Sequence, residues 1–140
     1  MFSRTQNLLI ITIIISAFLL PSIAFAKRDH SEMWYIQQWC KPRRGIERAV
    51  LNDGTRCDCM TDEYVMEIEY ADKWKNAIGK VLHYSLQTGK RSTIVLILEN
   101  PRANLYFKQL KMLVSYFQLP IDVWQVGSET EKTTEEPAPK

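Results

Sequence analysis

Histidine and cysteine are scarce in this chain, two of the one and three of the other among 140 residues. A structural zinc site needs four nitrogen or sulfur ligands, and Cys57 and Cys59 have no nearby histidine or further cysteine to complete the set. Strong charge of one sign is also missing. The formal net charge is +2, and residues 27–126 carry 15 Lys or Arg against 12 Asp or Glu. An excess that small does not by itself establish a nucleic-acid partner. Beyond residue 26 no apolar run is long enough to span a bilayer, and no internal repeat is present. What is left has the length of one ordinary domain, enough to bury a core.

The one long apolar run lies at the start. A basic Met-Phe-Ser-Arg opening leads through Leu8 to Leu20 to Pro21 and then Ala24-Phe25-Ala26. A basic start, a short apolar stretch and an A-x-A close describe a secretory signal peptide cleaved after Ala26. The competing reading is an uncleaved anchor. The expectation is an exported protein, periplasmic or secreted and of bacterial type, with no stable membrane anchoring after cleavage. Residues 127–140 (GSETEKTTEEPAPK) have no apolar periodicity and read as a disordered acidic tail. Export favours disulfides. Cys57 and Cys59 stand two residues apart on an extended strand, roughly 6 to 7 Å at Cα, too far to bridge each other well. Cys40 is therefore expected to pair with Cys57 or with Cys59.

Between these ends the elements are legible. Ser31 caps a helix running to Cys40, ended by Pro42. Gly45 to Leu51 reads as a strand, Asn52-Asp53-Gly54 as a hairpin turn, and Thr55 to Thr61 as the second strand. After Asp62-Glu63, Tyr64 to Tyr70 makes the third strand of a meander. Asp72 is expected to cap a helix reaching Thr88, with Trp74, Ala77, Ile78, Val81, Leu82 and Ser85 on its core side. Gly89 closes it. Thr93 to Leu98 is a continuous apolar run that suits a strand buried on both faces and parallel to a neighbour. A helix from Ala103 to Leu119, closed by Pro120, and a strand from Ile121 to Val126 complete the order α-β-β-β-α-β-α-β. That order predicts an α/β fold, a mixed sheet flanked by helices.

A tight turn at Asp62-Glu63 sets the register of the second and third strands. Met60 then faces Val65, Cys59 faces Met66, Asp58 faces Glu67 and Arg56 faces Glu69. Asp58, Glu67 and Glu69 share one side, and Cys57, Cys59, Met66 and Ile68 share the other, expected to be buried. Cross-strand Cβ atoms lie roughly 5 Å apart, so Asp58 and Glu67 repel and call for a cation between them. Carboxylate oxygens are the hard ligands that Mg²⁺ or Mn²⁺ prefers. The alternative is a solvated sheet face with Arg56 neutralising Glu69.

An Asp in the second strand, a Glu-x-Glu in the third and a helix directly after resemble the PD-(D/E)XK superfamily of metal-dependent nucleases, whose restriction-endonuclease-like core is α-β-β-β-α-β. Residues 53–99 also look like a group of small exported bacterial proteins of this kind. The resemblance implies that Asp58 is the metal-binding Asp and Glu67 the first acid of the (D/E)-x-K pair, with the backbone carbonyl of Ile68 as a further ligand of Mg²⁺ or Mn²⁺. Glu69 stands where the family usually has Lys. It would orient or deprotonate a water, and Lys73, a helical turn further on, would meet charge on phosphorus. Lys80 to Tyr84 falls where an exonuclease branch carries Gln-x-x-x-Tyr. Tyr84 matches and Lys80 does not, though Lys80 is a candidate phosphate contact.

Lys73, Asn76, Lys80, His83 or Tyr84, and Gln87 otherwise form a polar stripe, the ordinary mark of a solvated helix face. Glu32 reads either as a helix-end acid or as one pointing at the metals. His83 reads as a surface residue or a proton carrier, and His30 as part of a mobile start. The expected activity is hydrolysis of phosphodiester bonds in DNA or RNA, with DNA favoured and a homodimer possible by analogy with the family. The alternative is an inactive scaffold of the same fold that binds a protein or envelope partner.

Overall fold

The computed structural model describes residues 28–127 of the chain. The signal-peptide segment and the acidic tail after Gly127 lie outside the described residues. Helix α1 (Glu32–Cys40) is followed by the short strands β1 (Ile46–Glu47) and β2 (Cys59–Met60) and by β3 (Tyr64–Tyr70). Helix α2 (Trp74–Thr88), β4 (Arg91–Ile97), α3 (Ala103–Tyr116) and β5 (Ile121–Val126) complete the domain. The element order is the one expected from sequence. A single mixed sheet runs β1-β2-β3-β4-β5, antiparallel across β1, β2 and β3 and parallel across β3, β4 and β5.

Helix α1 covers one face of the sheet, where Tyr35, Ile36 and Trp39 pack on Met66, Ile68, Val95 and Ile97. Helices α2 and α3 cover the other, where Trp74, Ala77, Val81 and Leu110 pack on Val65, Ile94 and Leu96. With both faces covered, β4 is the buried parallel strand that its apolar run predicted. The first residues are tied down rather than mobile. The Glu99 carboxylate accepts the N–H groups of Asp29 and His30 and the Tyr35 hydroxyl, and His30 stacks on Trp34.

The meander is more irregular than its sequence suggests. β1 and β2 each keep two ladder residues instead of seven, joined further out by a lone bridge between Val50 and Arg56. Arg44 and Arg48, on either side of β1, have φ of 53° and 49°, which breaks an extended run. Opposite Arg48, Asp58 donates its N–H to the Met66 carbonyl although Met66 is partnered with Cys59, a bulge-like slip. Past this point the hairpin turns over. Cys59 packs with α1, whereas Cys57, Ala49 and Leu51 pack with α2, so the two cysteines do not share a face as expected. The Arg56–Glu69 pairing is lost for the same reason. Two smaller expectations also change. Asp72 does not cap α2 but pairs with Arg28 at 3.8 Å, a 3₁₀ turn at Ala71–Lys73 preceding the helix. Helix α3 stops at Tyr116, short of Leu119, where Gln118 takes φ of 50°.

Cys40 and Cys59 form a disulfide, Cα to Cα 5.7 Å, and Cys57 stays a buried thiol. A Cβ on Gly45 would stand 2.5 Å from both bridged sulfurs, so only glycine lets the chain pass from α1 to β1 at this point. The bridge closes a loop of 19 residues. Reduction, or a Cys40→Ala/Cys59→Ala variant, is expected to lower the unfolding free energy by about 3 kcal/mol, read from urea denaturation with and without dithiothreitol. Equal midpoints would show that the bridge carries no stability.

Candidate functional site

Residues Val65, Glu67 and Glu69 alternate onto the α2 side of β3, where a half-exposed acidic face was expected. The side is covered instead, and Glu67 and Glu69 are only 4% and 6% exposed. Carboxylates that far from water need partners. Lys80 of α2 donates to Glu67 Oε1 in a very short contact, and the Tyr84 hydroxyl donates to Oε2 at 3.2 Å. Lys73 lies 3.5 Å from Glu69. The polar stripe stays exposed at Lys73, Asn76, Lys80 and His83, as expected of a solvated face, while the tips of Lys73 and Lys80 reach the buried acids and Tyr84 is itself buried. Lower on the same helix, His83 meets Asp53 at 2.7 Å and Gln87 accepts the Asp53 N–H, fastening the hairpin turn to the helix.

Asp58 enters from β2 at the slip in the ladder. Its Oδ2 accepts the Ile68 N–H at 2.8 Å, standing where a backbone carbonyl would in an unbroken pairing. In an antiparallel ladder the N–H and C=O of one residue point to the same neighbour, so the Ile68 carbonyl lies on the Asp58 side. The Cys57 N–H that an unbroken register would bring to that carbonyl is turned to Ala49 at 3.1 Å. The structure thus brings Asp58, Glu67, Glu69, Lys73, Lys80 and Tyr84 into one cluster, with the Ile68 backbone at its edge.

Glu32, at the start of α1, acts on the cluster through its charge, which is set against those of Glu69 and Glu67. Sequence reading gave it less weight, although a signal was present. Glu32 stands three, four, seven and eight residues before Tyr35, Ile36, Trp39 and Cys40, the buried stripe of α1. His83 and His30 lie outside this cluster, in the contacts already described.

The electrostatics of the cluster are under tension. Burial, then the charge of Glu67, pushes the Asp58 carboxyl up to about 7. Burial raises Glu67 as well, even with Lys80 beside it. Burial and then Glu69 raise Glu32. Burial works most strongly against the charge on Lys80, but its bond to Glu67 and the charges of Glu67, Glu69 and Asp58 together outweigh this and hold the ammonium above its ordinary range. Burial and Glu67 raise the Tyr84 phenol, keeping it a donor. Four acids meet two lysines here, and burial leaves Glu32, Asp58 and Glu67 favouring protonation.

Among the described residues no group of three or more His, Cys, Asp or Glu side chains stands close enough to hold a metal ion. Asp58 and Glu67 nevertheless supply two carboxylates whose charges act on each other, oxygen donors of the type a hard divalent cation takes. Mg²⁺ suits such a set, since it is commonly bound through one or two carboxylates with water and substrate oxygens completing the shell. Comparison with protein-family models, curated proteins and solved structures found no match to this chain. Among the described residues no helix is long and apolar enough to cross a membrane.

A raised carboxyl pKa means that the folded state holds protons the unfolded chain has released. Stability then falls as pH rises from the ordinary carboxyl range towards the folded value. For Asp58 that window runs from 3.8 to about 7. In chelator, the unfolding free energy is expected to drop across it by about 1 kcal/mol per pH unit. Asp58→Asn should flatten the slope and be the more stable protein at pH 8. Chemical denaturation at stepped pH checks this, and a slope unchanged by the substitution would show that Asp58 is not strained.

Proposed function

We propose that the chain is a metal-dependent phosphodiesterase acting on DNA or RNA, built on a restriction-endonuclease-like fold and exported from a bacterial cell. The observation that carries this reading is the convergence of acids from α1, from β3 and from the residue just before β2 with Lys80 and Tyr84 of α2 and Lys73 of the turn preceding it, at a break in the sheet. A cluster arranged only for stability would avoid buried like charges, because strongly perturbed carboxylates concentrate where charge chemistry is done. The α-β-β-β-α-β order and the Asp and Glu-x-Glu placement support the same reading.

In this reading Asp58, Glu67 and the Ile68 carbonyl hold Mg²⁺ or Mn²⁺, which when bound supplies a Lewis acid for a phosphoryl oxygen. The remaining steps fall to side chains of the chain. Glu69, next to Lys73, takes a proton from the attacking water. Lys80, half-exposed at the outer side of Glu67, moves from that carboxylate to a phosphate oxygen. Lys73 meets the charge building on phosphorus, and Tyr84 keeps Glu67 in one rotamer. The cation at the usual third motif position is thus supplied from α2, which offsets the presence of Glu69 there.

Chain from Lys27 onward is expected to cleave labelled DNA or RNA with Mg²⁺ or Mn²⁺ and to be silent with chelator. Asp58→Ala and Glu67→Ala should each lower the rate at least 100-fold, and Lys80→Ala about tenfold to 100-fold. Folded protein that cleaves none of these substrates with either metal overturns the proposal in favour of a binding scaffold.

A further inference from the structure

The edge of the sheet next to Asp58 carries three arginines against one part-exposed acid, Glu47. Arg44, Arg48 and Arg56 are exposed, and none of the three meets a carboxylate among the described residues. Arg28 and Arg91 offer a contrast, pairing with Asp72 and Asp122, whereas Arg102 at the start of α3 likewise meets no carboxylate among the described residues. The placement of the edge arginines relative to the acid cluster is set by the backbone. Arg48 donates its N–H to the Asp58 carbonyl at 2.9 Å, so it is the direct cross-strand neighbour of that acid. Arg56 bridges to Val50 and stands two residues before Asp58 on its own strand.

The conformation of two of these residues is uncommon. Arg44 and Arg48 are two of the three non-glycine residues with positive φ among the described residues. This is a conformation that side chains other than glycine rarely adopt, and at Arg44 it closes the 3₁₀ turn that follows α1. At Arg48 part of the reason is structural, because the hairpin turns over at that point. A glycine or asparagine would make the same turn with less strain. What arginine adds is a side chain carrying five donors and a permanent charge, suited to bidentate contact with phosphate. Between the cations, Ile46 and Val50 are 59% and 60% exposed. Ile46 pairs with Met60 on the α2 side of the sheet, whereas Val50, between the buried Ala49 and Leu51, points to the other side, so exposed apolar surface lies beside the arginines on both faces of this edge.

We infer that Arg44, Arg48 and Arg56 form a backbone-binding edge that seats a polynucleotide beside Asp58, through its phosphates and without reading its bases. The inference rests on the proposed activity for the identity of the polyanion, but it concerns binding and is separable from cleavage. Phosphate contacts of this kind release counterions, so each removed cation reduces the salt dependence of binding by about one.

The test is fluorescence anisotropy of labelled single-stranded and duplex DNA and of single-stranded RNA with the chain from Lys27 onward, in chelator, between 50 and 200 mM salt. An Arg44→Gln/Arg48→Gln/Arg56→Gln variant, shown to be folded by its thermal transition, should bind at least tenfold more weakly. Its log–log salt slope should fall by about 3 for duplex and about 2 for single strands. Lysine at the same three positions should restore most of the binding. Wild-type binding that the glutamine variant keeps, or no wild-type binding to any strand, overturns the edge as a nucleic-acid site. Binding that depends on the arginines, with no cleavage when metal is added, supports the edge and overturns the proposed activity alone.

Discussion

The hydrogen bond from the Ile68 N–H to the Asp58 carboxylate is the constraint on which the rest of this architecture turns. A side chain stands there in place of a backbone carbonyl, and the ladder between β2 and β3 goes out of step beside it. Several features follow from that local exchange. The hairpin turns over, so its proximal half packs under α1 with the Cys40–Cys59 bridge and its distal half under α2. Asp58 is held at the opening, next to a carbonyl edge that has lost its regular donor. A continuous ladder would have kept Asp58 in an ordinary row of surface residues.

Around this opening the acids are buried more deeply than their number of counter-charges can balance. Glu67 is satisfied by Lys80 and Tyr84, Glu69 by Lys73 and the Tyr70 N–H, and Asp58 by a backbone amide. These bonds keep the cluster ordered, yet they leave Asp58, Glu67 and Glu32 all favouring protonation. Buried ion pairs are weak as a source of stability, because desolvation offsets much of their attraction. The arrangement makes better sense as a site that takes up positive charge. Lys80 comes from α2 and Lys73 from the turn that leads into it, and both are half-exposed beside the carboxylates they contact.

Much of the fold was legible in the chain. The apolar run in β4, the helical stripe of α2 and the Asn-Asp-Gly turn each reflect a local rule, and the element order came out as read. Two ladder partnerships across the second turn, Cys59 with Met66 and Met60 with Val65, were also foreseen. The failures cluster beyond them. Periodicity cannot reveal a carboxylate replacing a carbonyl, so Arg56 was paired with Glu69 and the sulfurs were put on one face. Glu32 was legible in principle from its spacing to Tyr35 and Ile36, but an acid beside an N-cap has a sufficient local explanation.

The sequence by itself determined which residues could form the site and which elements would carry them, because side-chain alternation and helix periodicity are properties of a few neighbouring residues. It left the choice between Cys57 and Cys59 open, and it could not distinguish a solvated acidic face from a buried one. Those matters were decided by the tertiary structure. Whether a carboxylate is strained depends on what covers it, and the cover here comes from α2, whose Lys80 and Tyr84 lie 13 and 17 residues beyond Glu67. Burial and long-range charge are sums over neighbours brought together by the fold, and no local pattern contains them.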